Sequence, residues 1–230
     1  MKRTLILALG LVFSLSLYSQ SKDYNFRLEF GGNLSNIVTE KSLPYSAEAK
    51  FLEGKNKLGY HVGGFMNFNF SKYFYATAGI NVINKGYNIY DLPLVDTLGM
   101  EIKKTDYSVS IIYLQVPLQL GINIPVKENS SVDLLAGGYF SFAVIGNESF
   151  VGEDDEKVIR SFFDVGYVVG SDRFDLGLKF GASYNFYNFY ISAFYDWGMY
   201  KFISYTDSQN DKEFYNARHS TFGIGLGFKL

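Results

Sequence analysis

Eight ionisable side chains could act together in this chain if the backbone turns them to one side: Arg27, Glu29, His61, Asp133, Asp175, Lys179, Asp196 and Lys229. Each lies in a stretch where apolar residues alternate with polar or small ones, and each falls on the polar side. A charge facing lipid is costly, so such a set belongs inside a wall and not on its outside. Two kinds of chemistry suit it. One is a compensated plug, in which buried opposite charges and hydrogen bonds satisfy each other. The other is the lining of a narrow path for ions or small solutes. Asp175 and Lys179 lie two pleats apart on one face, roughly 13–14 Å along the backbone. Each therefore needs a partner from another strand. Asp196, Lys229, Arg27 and Glu29 are the candidates, in a network over the last three strands and the first.

Other reactive types are less well supported. His61 and His219 are the two histidines of the chain. A Ser–His pair near lipid would suit a lipid-modifying hydrolase. His219 stands beside Ser220, but neither histidine has an orienting carboxylate at a diagnostic spacing. Glu153-Asp154-Asp155-Glu156 could hold Ca²⁺ through carboxylate oxygens, although like charges clustered in a loop usually remain solvated. Gly31-Gly32, Gly63-Gly64 and Gly137-Gly138 lie within strands with no helix following, so they fail the context of a phosphate loop. They suit curvature and close packing instead. With 0 Cys there is no disulfide, thiolate metal site, cysteine nucleophile or lipid-anchored cysteine. A net charge of −2 leaves no basic footprint for nucleic acid. We expect no catalytic residue, cofactor or metal site.

The elements that position these residues are long alternating strands. In the stretch around Tyr113-Leu114-Gln115-Val116-Pro117-Leu118-Gln119-Leu120-Gly121-Ile122, the even positions from Ile112 to Ile124 are all aliphatic. The odd ones are Tyr113, Gln115, Pro117, Gln119, Gly121 and Asn123. The run exceeds an ordinary strand of about 5–6 residues and reaches the ~9–11 that a tilted strand needs to cross a bilayer. Pro117 cannot donate to a ladder and suggests a bulge. Similar alternation predicts strands around Phe30, Val62, Ala78, Leu134, Leu178, Ala193 and Ile224, eight in all. The third loses phase near Ile83, which suggests a bulge before Tyr87.

Connections alternate in length. Ser71-Lys72, residues 125–130 and Tyr187-Asn188 are short. Residues 35–57, 88–104, 147–173 and 204–219 are long. Short periplasmic turns alternating with long outer loops mark an outer-membrane barrel. Phe68, Phe70, Tyr73, Phe74 and Tyr75 flank the first short turn, and Tyr184, Phe186, Tyr187, Phe189 and Tyr190 flank the last, as an interfacial girdle would require. Residues 162–170 have some strand character. They are read as structured loop or as a hairpin above the membrane, with ten strands possible if residues 151–159 pair with them. Lys2 and Arg3 before an apolar core from Leu5 to Leu17 predict a signal peptide over residues 1–19, which leaves residues 20–230 as the barrel domain.

Three stretches resemble the PorT-type outer-membrane β-barrel family: Tyr113-Leu114-Gln115-Val116-Pro117-Leu118, Phe174-Asp175-Leu176-Gly177-Leu178-Lys179-Phe180-Gly181-Ala182, and Leu134-Leu135-Ala136-Gly137-Gly138-Tyr139-Phe140. Gln115 stands where that family often has Glu. Phe228-Lys229-Leu230 resembles the terminal sorting signal of such barrels, which usually ends in an aromatic. The resemblance implies an all-β, eight-stranded antiparallel up-and-down barrel in the outer membrane. It also implies a structural, surface or secretion-accessory role without catalysis. Expected partners are outer-membrane lipid and cell-envelope or secretion-machinery proteins. A narrow channel and a lipid-modifying enzyme are the alternatives. A soluble lipocalin-like barrel fits less well, because the face rich in Gly, Asn, Gln and Asp suits a polar interior.

Overall fold

The computed structural model describes residues 24–41, 54–95, 101–151, 157–163, 173–201, 203–207 and 212–230. The expected signal peptide, the acidic run at residues 153–156 and residues 164–170 of the strand-like stretch lie outside these. Ten strands are described: β1 (Tyr24–Lys41), β2 (Lys57–Asn69), β3 (Phe74–Val95), β4 (Glu101–Lys127), β5 (Ser130–Val151), β6 (Lys157–Ser161), β7 (Phe174–Phe186), β8 (Phe189–Gly198), β9 (Ile203–Asp207) and β10 (Lys212–Lys229). Eight of them close a ring in the order β1-β2-β3-β4-β5-β7-β8-β10, with β10 returning to β1. Every ladder is antiparallel. β6 adds only to the upper end of β5, and β9 to the start of β10, so neither enlarges the ring.

The turns fall where the sequence places them. β2–β3, β4–β5 and β7–β8 connect tightly at one end, beside the start of β1 and the end of β10. In outer-membrane barrels that end is periplasmic. Tyr187 has φ of 51°, the left-handed conformation that a two-residue hairpin turn demands.

The long connections behave differently from the expectation. Much of residues 88–104 is strand, because β3 runs to Val95 and β4 starts at Glu101. β1 continues to Lys41, and β5 to Val151. These ends project past the bilayer and change character as they do. Within the membrane, even-numbered residues of β4 face outward and are apolar: Leu118 is 62 % exposed, whereas Gln119 beside it is 8 % exposed. Above the level where Ile83, Tyr113 and Ala143 pair across β3, β4 and β5, the chemistry of the faces reverses. There Ile83, Tyr87, Ile89, Val109, Ile111 and Tyr113 are buried inside with Ile37, Ala143, Phe162 and Ala217. Asn84, Asn88, Ser108 and Ser110 occupy the other side of the wall.

This reversal corrects two readings. β3 has no bulge before Tyr87: its odd residues stay buried from Tyr75 through Ile89 apart from the small Gly79, and its ladder with β4 keeps one register to Ile89. The loss of phase in the sequence is a change of solvent, not of backbone. The bulge lies in β5, where Ile112 opposes Ile145 but Tyr113 opposes Ala143. Val144 and Ile145 are consequently both exposed, and inward parity shifts from odd to even. Pro117 makes no bulge either, because Ala78↔Leu118 and Asn81↔Gln115 share one register on either side of it.

Aromatic side chains ring the outer wall near the periplasmic turns, including Phe70, Tyr73, Phe74, Tyr187 and Phe189. Tyr75 and Tyr190 leave the expected girdle and turn into the lumen, both buried. Glycine makes room for them: a Cβ on Gly121 would overlap the Tyr75 ring, and one on Gly227 the Tyr190 ring.

Candidate functional site

The lumen holds four groups of ionisable side chains, and the pleat aims all of them. The largest is at mid-barrel. Lys179 of β7 and Asp196 of β8 are cross-strand neighbours, with Nζ 2.7 Å from Oδ1. Lys85 of β3 reaches across the barrel to Asp175 of β7, Nζ to Oδ2 2.9 Å, and lies 3.5 Å from Asp196 Oδ2. Gln115 Nε2 donates to Asp196 Oδ2 at 2.9 Å. The Tyr139 hydroxyl donates to both oxygens of Asp175 at 3.3 and 3.2 Å. Lys85 also sits 4.3 Å from the Tyr139 ring centroid, and Lys179 3.5 Å from that of Phe194. Lys85, Asp175 and Asp196 are fully buried, at 0 % exposure. Two ammoniums face two carboxylates, so the cluster is neutral, and aromatic faces stand in for the cations' missing water.

Above it, the Tyr113 hydroxyl meets His219 Nε2 at 2.9 Å, with the two rings edge to face. Ser220 points through the opposite face of the wall, where its Oγ meets the Tyr195 hydroxyl at 2.9 Å. His219 and Ser220 therefore do not form a Ser–His pair. To one side, His61 Nε2 lies 3.5 Å from Glu29 Oε1, beyond good hydrogen-bond distance, and its ring packs edge-on to Phe194.

Nearer the periplasm, Arg27 of β1 reaches Asp133 of β5, with Nη1 3.2 Å from Oδ2, and donates from Nη2 to Ser183 Oγ at 3.3 Å. Asn123 donates to the other oxygen of Asp133 at 2.6 Å. The guanidinium stacks 3.9 Å over the Tyr190 ring. Lys229 stands opposite Arg27 in register and lines the periplasmic mouth, half-buried.

All eight singled-out residues thus face the lumen, but their partners differ from the expected ones. Asp175 pairs with Lys85, which the sequence reading omitted. The network also draws on β3, β4 and β5, so it is not confined to β7, β8, β10 and β1. Lys229 joins neither Glu29 nor the mid-barrel cluster. Gln115 is an amide where a carboxylate would add a further negative charge against Asp196 and unbalance the cluster. In the fold, the odd positions of β3 stay inward from Tyr75 to Ile89 apart from Gly79, and this places Lys85 in the lumen. Among the described residues there is no group of three or more His, Cys, Asp or Glu fit to hold a metal ion.

At the upper tip, outside the membrane, the Tyr107 hydroxyl donates to Glu148 Oε2 at 2.6 Å. Burial, then the neighbouring Tyr87 and Glu148, raises the pKa of this phenol well above its ordinary value.

A closed antiparallel ring with an apolar outer belt and a charged interior defines an outer-membrane β-barrel. A family model for the outer membrane protein beta-barrel domain matches residues 18–204, and the chain belongs to that family. It is accordingly a protein of the outer membrane. No curated protein matches it in sequence. Among solved structures it is similar to Ail, the attachment invasion locus protein of Yersinia pestis, crystallised with the heparin analogue sucrose octasulfate. Identity there is 16%, over 90% of this chain and 99% of that one, with a TM-score of 0.40. It is also similar to OprG of Pseudomonas aeruginosa, with 12% identity, 92% and 98% coverage and a TM-score of 0.46. The outer membrane protease OmpT of Escherichia coli is similar at 10% identity, 91% and 97% coverage and a TM-score of 0.44.

Proposed function

We propose that this protein is a closed, non-catalytic outer-membrane barrel of the PorT type, with a structural, surface-interaction or secretion-accessory role. It works through what its two ends bind, and not through passage or chemistry in its lumen. Its partners are outer-membrane lipid and envelope or secretion-machinery proteins. One observation carries the reading: the Lys85–Asp175 and Lys179–Asp196 pairs fill the middle of the barrel with mutually neutralised charge. An eight-stranded barrel is only wide enough for side chains to fill it. The gap below the pairs is about 50 Å³ and is lined by Arg27, Glu29, Gln119, Lys179 and Phe194 among others. That volume holds a few waters at most. Above the pairs, the apolar core of the projecting strands completes the seal.

The same gap, bordered by two cations and Glu29, is what favours the alternative of a narrow, gated ion path. Planar-bilayer recording separates the two. The closed reading expects no steady conductance from the native barrel, and none from Lys179→Met/Asp196→Asn if the refilled lumen stays packed. Steady conductance from the native protein would overturn it.

A further inference from the structure

The two ends of the lumen are not alike. The outer end is filled by aliphatic and aromatic side chains, whereas the periplasmic end opens into a blind cavity of about 490 Å³. Its floor is Asp133, already held by Arg27, Ser183 and Asn123. Tyr75 lies in its wall beside that floor. Lys72, from the β2–β3 turn, and Lys229, near the end of β10, line it as well. Asn25 and Asn67 stand opposite each other in the β1–β2 register. Both line the cavity, and the Oδ1 of each accepts no hydrogen bond among the described residues. Asn67 is 4 % exposed. A buried acceptor left without a donor is a free-energy cost that a ligand can relieve.

These groups ask for a ligand of definite chemistry. Two ammoniums beside a carboxylate that is already neutralised call for an anion. Two amide oxygens call for N–H donors. Inorganic phosphate carries its charge and its one or two O–H donors on a single compact group, and a neutral sugar offers hydroxyl donors but no charge. The carboxyl end of a peptide offers both, with its terminal carboxylate for the lysines and its main-chain N–H groups for the asparagines. A cavity of this size falls within the usual range for small-ligand sites. We propose that this vestibule captures the C-terminal end of an extended peptide chain from the periplasmic side, with Lys72 and Lys229 holding the carboxylate and Asn25 and Asn67 taking main-chain N–H groups. The inference rests on the closed, oriented barrel proposed above, because only a closed lumen makes the cavity a terminus and not a passage.

The test uses the full-length mature barrel in lipid nanodiscs, titrated with N-acetyl-trialanine bearing a free carboxylate, with the same peptide amidated, and with inorganic phosphate. Amide shifts in NMR report the site. The free acid should bind and shift the side-chain amides of Asn25 and Asn67. Amidating the peptide, or replacing Lys72 and Lys229 by Met, should weaken binding about tenfold or more, the size expected for loss of hydrogen bonds to a charged group. Asn67→Ala should weaken the acid and the amide alike. Equal behaviour of acid and amide, including binding by neither, would overturn the proposal. So would phosphate binding as tightly as the peptide, or shifts confined to residues outside the vestibule. Conductance recorded on the same preparation keeps the two readings apart: a silent lumen without capture would sink only the vestibule, whereas steady conductance would sink the closed barrel and, with it, the vestibule as a terminus.

Discussion

Two stretches of one strand obey the same alternation with opposite chemistry. From Gln115 to Gln119 of β4, the residues turned into the barrel include two glutamines and the outer ones are aliphatic. From Val109 to Tyr113, Val109, Ile111 and Tyr113 are buried inside, and the outer wall carries Ser110 and, next to the boundary, Ile112. The backbone register does not break between them on the β3 side. A period of two therefore fixes which side a residue faces, and the medium outside fixes what kind of residue stands there. In lipid the charged side must go inward and be neutralised there. Above the membrane the wall is an ordinary water-facing sheet that stores its apolar side chains in the lumen.

That contrast can be broken on purpose, and the largest effect belongs to the membrane half. Lys179→Met leaves Asp196 with Lys85 and Gln115 but removes its closest cation. The barrel should lose ~3–5 kcal/mol in equilibrium unfolding from detergent or bilayer, the range for breaking a buried pair from one side. A loss below about 1 kcal/mol would mean that water solvates the site and the pair is not buried.

In the projecting half the corresponding weak point is apolar. Ile111→Ala should cost ~2–5 kcal/mol through the cavity it leaves, and an isosteric change that removes only a charge, such as Glu148→Gln, should cost far less, because the amide oxygen can still accept from Tyr107. Unfolding curves of the two variants check this. A harmless Ile111→Ala would show that the upper core is not packed.

Single outward substitutions sharpen the comparison further. Leu118→Arg, near the midplane, should cost ~2–4 kcal/mol. Tyr90→Arg, on the exposed outer side of β3 above the reversal, should stay within about 0.5 kcal/mol, as surface changes usually do. Equal costs at the two sites would erase the boundary between the halves.

Much of the ring was readable because alternation and aliphatic faces persist over runs longer than a soluble strand needs. Candidate lumen residues could be named because a charge on the polar side of such a strand has nowhere else to go. Three things could not be read. Lys85 was hidden by Ile83 and Tyr87 on its own face, which look like slipped phase when the outside is assumed to be lipid throughout. The β5 bulge was hidden because Val144 and Ile145 are both apolar, so neither marks the change of side. The Lys85–Asp175 contact depends on how far closure of the ring shifts β3 against β7, and no single strand carries that information. The blind periplasmic cavity was out of reach for the same reason. Asn25, Asn67 and Lys229 are remote in sequence and meet only when β10 returns to β1.

The absence of cysteine allows the central claim, a sealed barrel whose faces reverse at the membrane boundary, to be tested directly. Single cysteines placed at each position from Ser108 to Gln119 of β4, in bilayers, are treated with a water-soluble maleimide, which reacts with the thiolate. The account predicts labelling at the outward positions 108 and 110. It predicts none at the lipid-facing 114, 116 and 118, and none at the inward 109, 111, 113, 115, 117 and 119. Ready labelling at 115 and 119 would reveal a water-filled lumen and contradict it, as would strong labelling at 114, 116 and 118.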